Sequence, residues 1–167
     1  MTGPRVLEAH PVTPAACAHG EGPVWDEREG VLRFVDLTRG DVMTFDPRRA
    51  AFGPGVADAL SRLHVADVVA ALRPRTTGGW VLALERGFAL TEPGSWRAGA
   101  LIEAFTDPAI RMNDGGCDAG GGFLCGSMAY AATPGAVVTT TRRYRSCTAP
   151  STSSSSASAS SRPVARR

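Results

Sequence analysis

Residues 21–47 read EGPVWDEREGVLRFVDLTRGDVMTFDP, and the alternation inside this stretch decides the fold class. Apolar residues alternate in VLRFVDL and again in DVMTF, while DEREG and DLTRG supply turn residues around them. Side chains of a strand point alternately to opposite faces, so short period-two runs bounded by Gly and Asp predict antiparallel strands. Arg33 and Asp36 flank Phe34 and Val35. That mixture of charge and bulk fits an inner strand covered on both faces, not an edge.

The same cadence returns further along. Ala66–Leu72, Gly79–Glu85 and Gly87–Thr91 read as three more strands, and a weaker pass runs from Ile110 through RMNDGGCDAGGGFLCGSM. Val65, Val68, Val69 and Leu72 also share a helical spacing, but the β-branched content and the stop at Pro74 favour strand. Small-residue turns before the second strand of each unit fall near Gly30, Gly79 and Gly122, a recurrence of roughly 40–50 residues. About four short strands per unit at that period is the signature of propeller blades. A blade buries its faces only against its neighbours, so about three units do not close a ring. The expected fold is therefore all-β, an incomplete β-propeller of about three blades.

Composition narrows the classes of function. The chain has 167 residues, 43% of them hydrophobic, enough for one domain with a real core. It contains no apolar run of about 18 residues that would cross a membrane as a helix. The stretch Met1–His10 has Arg5 but no apolar segment behind it, so a cytoplasmic location is the expectation. Cys17, Cys117, Cys125 and Cys147 show no CxxC spacing and read as free thiols. All 16 acids lie in residues 1–136 beside twelve arginines, a net charge of −4. Residues 137–167 hold six arginines and no acid, hence +6, and the chain has no lysine.

Three stretches carry a family resemblance: His19–Asp26 (HGEGPVWD), Gly30–Pro47, and Arg111–Met128. The first and third resemble the GEGPxW and RxNDGxxDxxGxxxxGxM signatures of the gluconolactonase/regucalcin family, also called the senescence marker protein family. The resemblance covers residues 5 to about 136 and implies the N-terminal half of a six-bladed propeller. It also implies a metal-dependent hydrolase that opens the cyclic ester of a sugar lactone. In that family a divalent metal at one end of the central channel is held by a Glu from the first blade and an Asn and an Asp from later ones. The Glu carries over to Glu21. Ca²⁺ is the cofactor the resemblance favours, with Zn²⁺ or Mn²⁺ also suited to an oxygen-rich site. Such a metal would polarise the lactone carbonyl and activate a bound water.

Arg111 and Asn113 carry over as residues that hydrogen-bond the lactone oxygens, roles that suit a guanidinium fork and a carboxamide. Asp114 with Gly115 reads as a tight-turn dipeptide, and DAGGGF as a hairpin turn, not a phosphate loop. In the regucalcin branch a Glu shortly after the GxM sequence contacts substrate. Here Ala129, Tyr130 and Ala131 follow Met128, so that contact is unmatched. His19 and His64 have no partner ligand at metal spacing, and Trp25, Trp80 and Trp96 read as blade packing.

After Ala136 the alternation stops and Ser, Thr, Ala and Arg dominate. The expected division is a partial propeller over residues 1–136 and a disordered tail over 137–167, because such a segment buries too little apolar surface to order itself. Two origins compete: a genuine basic tail, or translation out of frame after codon 136, which the break inside a blade favours. The tail lacks the aromatic interleaving of a nucleic-acid site, so no specific nucleic acid is expected as a partner, and no membrane. Two of the three expected metal ligands are absent, so this chain alone is expected to be inactive. The competing function is a non-catalytic or calcium-binding half-propeller module, with self-association through its open edge.

Overall fold

The structure is a computed structural model that describes residues 6, 8–50, 56–131 and 142–145. Strands run in three antiparallel meanders. The first sheet holds β1 (Gly20–Asp26), β2 (Val31–Asp36), β3 (Asp41–Phe45) and β4 (Leu60–His64), in that order. The second holds β5 (Val69–Pro74), β6 (Trp80–Leu84), β7 (Gly87–Leu90) and β8 (Ile102–Glu103). The third pairs β9 (Ile110–Cys117) with β10 (Gly122–Ala129), and β10 with β11 (Arg142–Arg145). The second strands thus begin at or beside the turns expected near Gly30, Gly79 and Gly122.

The sheets are arranged as blades. The first strands β1, β5 and β9 pack against one another, β5 between the other two. Val69 to Leu72 on β5 are fully buried, whereas β4 is almost wholly exposed. In the second blade burial falls from β5 to the exposed β8, and in the first the buried strands are β2 and β3. Burial on both faces is why β5 reads as a continuous apolar run, whereas the exposed β4 reads as polar. The segment with helical spacing, Val65–Leu72, is strand from Val69 onward because its valines and alanines are buried on both faces.

Blades adhere through named side chains. Phe88 on β7 meets Phe123 on β10 edge to face, with ring centroids 5.7 Å apart. Burying each such ring contributes about 1.5–3 kcal/mol. Between the first and second blades, Arg33 on β2 lies 5.4 Å from the Trp80 ring centroid and 4.9 Å from that of Trp96, and the two indoles stack at 5.2 Å. β2 is paired on both sides, and Arg33, Val35 and Asp36 are buried, as an inner strand requires.

Some expectations differ from the structure. Trp25 is 49% exposed. Its neighbour Val24 packs on the core between blades, so the alternation of β1 turns Trp25 to the opposite face. There it forms a cross-strand row with Leu32, Phe45 and Leu60. Asp114 and Gly115 are not a turn: both lie inside β9. The hairpin turn is the next one along, where the Asp118 carboxylate accepts the N–H groups of Gly120 and Gly122 at 2.8 Å. Of the segment expected as a tail, Arg142–Arg145 has strand backbone and pairs with β10. The rest of 137–167, Cys147 included, lies outside the described residues.

Candidate functional site

The GEGP motif is a β-bulge. Glu21 opposes Val35 and Val24 opposes Arg33, so Gly22 and Pro23 together face one residue of β2. Gly22 has φ of 59°, a left-handed conformation that L side chains adopt only with strain. The same irregularity recurs in β5 between Val69 and Ala71, and in β9, where Asn113 and Asp114 fall between the pairs Gly115–Cys125 and Met112–Ser127. A Cβ at Gly22 would lie 3.8 Å from Ala71 Cα and 3.9 Å from the Ala70 carbonyl oxygen, so the bulges of β1 and β5 pack together. Bulges re-aim side chains next to functional sites. Two of the sequence-selected residues, Glu21 and Asn113, sit at them.

Glu21 has a side chain 44% exposed, with His19 Nε2 3.6 Å from its Oε1. The approach to Glu21 is clamped by Asp36 at the end of β2. The fully buried Asp36 carboxylate accepts the N–H groups of Ala18 at 3.0 Å and His19 at 2.9 Å, and Arg62 lies 3.3 Å away. His19 in turn accepts the Leu37 N–H at 2.9 Å through its carbonyl. Burial by itself would raise the Asp36 pKa. The two backbone donors and the Arg62 and Arg39 charges outweigh it and hold the carboxyl below the usual range.

A depressed carboxyl stabilises the fold above its unfolded pKa, and that stability is lost as the pH falls through the folded value. Asp36→Asn is therefore expected to destabilise the protein by about 2 kcal/mol near neutral pH. The gap should close in acid, below about pH 4. Urea midpoints of the two proteins across pH measure it, and a gap independent of pH would show that the charge plays no part.

Arg111 and Asn113 are brought together on β9. Arg111 is buried, and its Nη1 donates to the Met112 carbonyl at 2.9 Å and to Asn113 Oδ1 at 3.1 Å. Its guanidinium lies 5.8 Å from the centroid of the Tyr130 ring. Among the described residues no hydrogen bond or ion pair joins either residue to Glu21. Sequence reasoning did not select Tyr130 or Glu85, although Tyr130 Oη donates to Glu85 Oε1 at 2.6 Å across two blades. The departure after Met128 was the signal for Tyr130, and Glu85 had none.

A resident Ca²⁺ takes six to eight oxygen donors. Among the described residues there is no group of three or more His, Cys, Asp or Glu side chains able to hold a metal. Glu21, the carboxylate selected from the sequence, is therefore not part of such a group among the described residues. Cys17, Cys117 and Cys125 are not in disulfides, and burial pushes Cys125 up to about 12, which leaves it inert. No helix among the described residues is long and apolar enough to cross a membrane.

Comparison with known proteins agrees with this geometry. Residues 19–153 match the family model described as the SMP-30/Gluconolactonase/LRE-like region. Regucalcin of Xenopus laevis is 33% identical over 119 residues, covering 71% of this chain and 37% of that protein. The 6-deoxy-6-sulfogluconolactonase of Pseudomonas putida is 31% identical over 110 residues, 65% of this chain and 35% of that enzyme. Among solved structures, the calcium-binding regucalcin of Agrobacterium tumefaciens superposes with a TM-score of 0.60 at 18% identity, over 82% of this chain and 45% of its own. A luciferin-regenerating enzyme gives 0.54 at 22% identity, over 80% and 47%. The chain thus spans between 35% and 47% of the length of these relatives. With three propeller blades, the bulged GEGP strand and the RxND strand in place, the chain belongs to the SMP-30/gluconolactonase/LRE-like family.

Proposed function

We propose that this chain carries the substrate-orienting part of a sugar-lactone hydrolase site. The observation that supports it most is the pair of bulges that set Glu21 and Asn113 on strands of the same blade-to-blade stack. In this reading Arg111 and Asn113 grip the lactone oxygens, and Glu21 contributes one carboxylate toward a divalent cation, Ca²⁺ in first place. Among the described residues no group of three or more His, Cys, Asp or Glu side chains could hold the cation, so no hydrolytic step is assigned to them.

Gluconolactone hydrolysis by the 167-residue chain, with millimolar Ca²⁺, is expected to match the rate in buffer. Calorimetric titration is expected to show only weak Ca²⁺ binding, in the millimolar range or worse for so few charged ligands, and none after Glu21→Gln. Calcium-dependent turnover by the chain alone would overturn the assignment. Identical Ca²⁺ heats in wild type and Glu21→Gln would remove Glu21 from it.

The second reading, a non-catalytic half-propeller module, is favoured by the apolar row Trp25, Leu32, Phe45 and Leu60 on the first blade. It predicts self-association that Trp25→Ser abolishes, measured by sedimentation.

A further inference from the structure

Tyr130 and Glu85 belong to different blades, and neither has a part in the reading above. Tyr130 follows the last residue of β10, and its backbone N–H donates to the Ala109 carbonyl at 2.9 Å, which ties it to the start of β9. Glu85 occupies the tight β6–β7 turn, where its carbonyl accepts the Met112 N–H at 2.8 Å. These two backbone bonds bring the side chains within reach of one another. The Tyr130 hydroxyl then donates to the Glu85 carboxylate at 2.6 Å, and its ring lies against the Arg111 guanidinium. Arg111 passes the constraint to Asn113 through the 3.1 Å bond from Nη1.

The chemistry of that last bond fixes an orientation. A guanidinium has donors only, so the Asn113 atom facing it must be the carboxamide oxygen. The carboxamide nitrogen, with two hydrogens, is then turned away from Arg111, and it has no partner among the described residues. Asn113 held in this way turns its two amide hydrogens toward a ligand, and one of the two lone pairs of its oxygen is taken by Arg111. Tyr130 is 49% exposed, and the partial burial of its hydroxyl, with the Glu85 carboxylate beside it, pushes its pKa up to about 12. The hydroxyl therefore stays protonated and remains a donor at neutral pH.

We propose that Tyr130 and Glu85 are positioning residues that lock Asn113, through Arg111, as a hydrogen-bond donor to the oxygens of a lactone ring. This rests on the reading of Arg111 and Asn113 as lactone-binding residues. It adds which atom of Asn113 meets the ligand, and which two residues enforce that choice.

Three measurements on the full chain test it. With Tyr144→Phe, Tyr130 is the sole tyrosine, and its ionisation is followed by ultraviolet absorbance. Glu85→Gln is expected to bring the transition from about 12 back toward the ordinary tyrosine value of about 10. A transition that does not move overturns the Tyr130–Glu85 link. The side-chain amide signals of Asn113, followed by ¹⁵N NMR, are expected to shift in Tyr130→Phe, which keeps the ring and loses the hydroxyl. Amide signals that stay in place overturn the relay to Asn113.

Gluconolactam, which keeps the ring hydroxyls and carbonyl but resists hydrolysis, serves as the ligand probe. Tyr130→Phe is expected to weaken its binding about tenfold, and Asn113→Ala to abolish it. Binding lost in Asn113→Ala but unchanged in Tyr130→Phe sinks the relay and leaves the lactone site standing. Binding unchanged in Asn113→Ala removes the lactone site, and the amide signals then decide the relay alone.

Discussion

Arg33→Ala is expected to lower the unfolding free energy by about 3–5 kcal/mol, because it strands a buried carboxylate. Asp26 is 1% exposed and Arg33 is 4% exposed. The Arg33 Nε donates to Asp26 Oδ2 at 3.1 Å, Nη1 to Thr44 Oγ1 at 2.7 Å, and Nη2 to Glu29 Oε2 at 2.5 Å. The same guanidinium reaches the stacked indoles of Trp80 and Trp96 in the next blade. A single group thus joins the strands of one blade and fastens it to another. Truncation removes that fastening and leaves Asp26 with only the partly exposed Arg28 at 3.2 Å. Urea denaturation measures the loss. The double change Asp26→Leu with Arg33→Met should recover much of it, since apolar groups of similar volume often replace a buried ion pair without penalty. A single variant that unfolds at the wild-type midpoint would show that the blades are held elsewhere.

Gly40→Ala is expected to be nearly as severe, by a different route. Gly40 ends the short turn at Leu37–Arg39 with φ of 66°, and its carbonyl accepts the N–H groups of Val65 and Ala66. A Cβ there would lie 1.4 Å from the Ala66 carbonyl oxygen, a backbone atom that cannot swing aside. The left-handed conformation costs about 1–2 kcal/mol, and displacing the chain that leads into the second blade adds about 1–3 kcal/mol. Gly94→Ala is the control. It shares a positive φ of 75°, but a Cβ there meets nothing within 4 Å, so only the conformational cost applies. Equal losses in the two variants would mean that the packing of this link contributes nothing.

Much of the fold was legible because a blade is a local object. Strands β2, β3, β6 and β7 follow from alternation within a few residues, and their turns from Gly and Asp at fixed offsets. The places where reading failed are those where two local choices were equally good. Asp114-Gly115 and Asp118–Gly121 both resemble turns, and only the pairing of β9 with β10 decided between them. Trp25 resembled packing, yet which face of β1 meets the second blade is set by Val24 reaching the core. The pairing of Arg142–Arg145 with β10 left no trace in its own Ser- and Arg-rich surroundings, because a strand can be recruited by an edge that already exists.

The site divides along the same line. By itself the sequence determined the strand repeat, the family, and the selection of Glu21, Arg111 and Asn113, because these rest on residue types at short, fixed spacings. Only the tertiary structure decided how those residues are held. Asp36 clamps the approach to Glu21 from 15 positions along the chain, and Glu85 reaches Tyr130 across 45 positions. Such contacts join neighbouring blades or strands, where proximity comes from the packing of sheets and not from spacing along the chain.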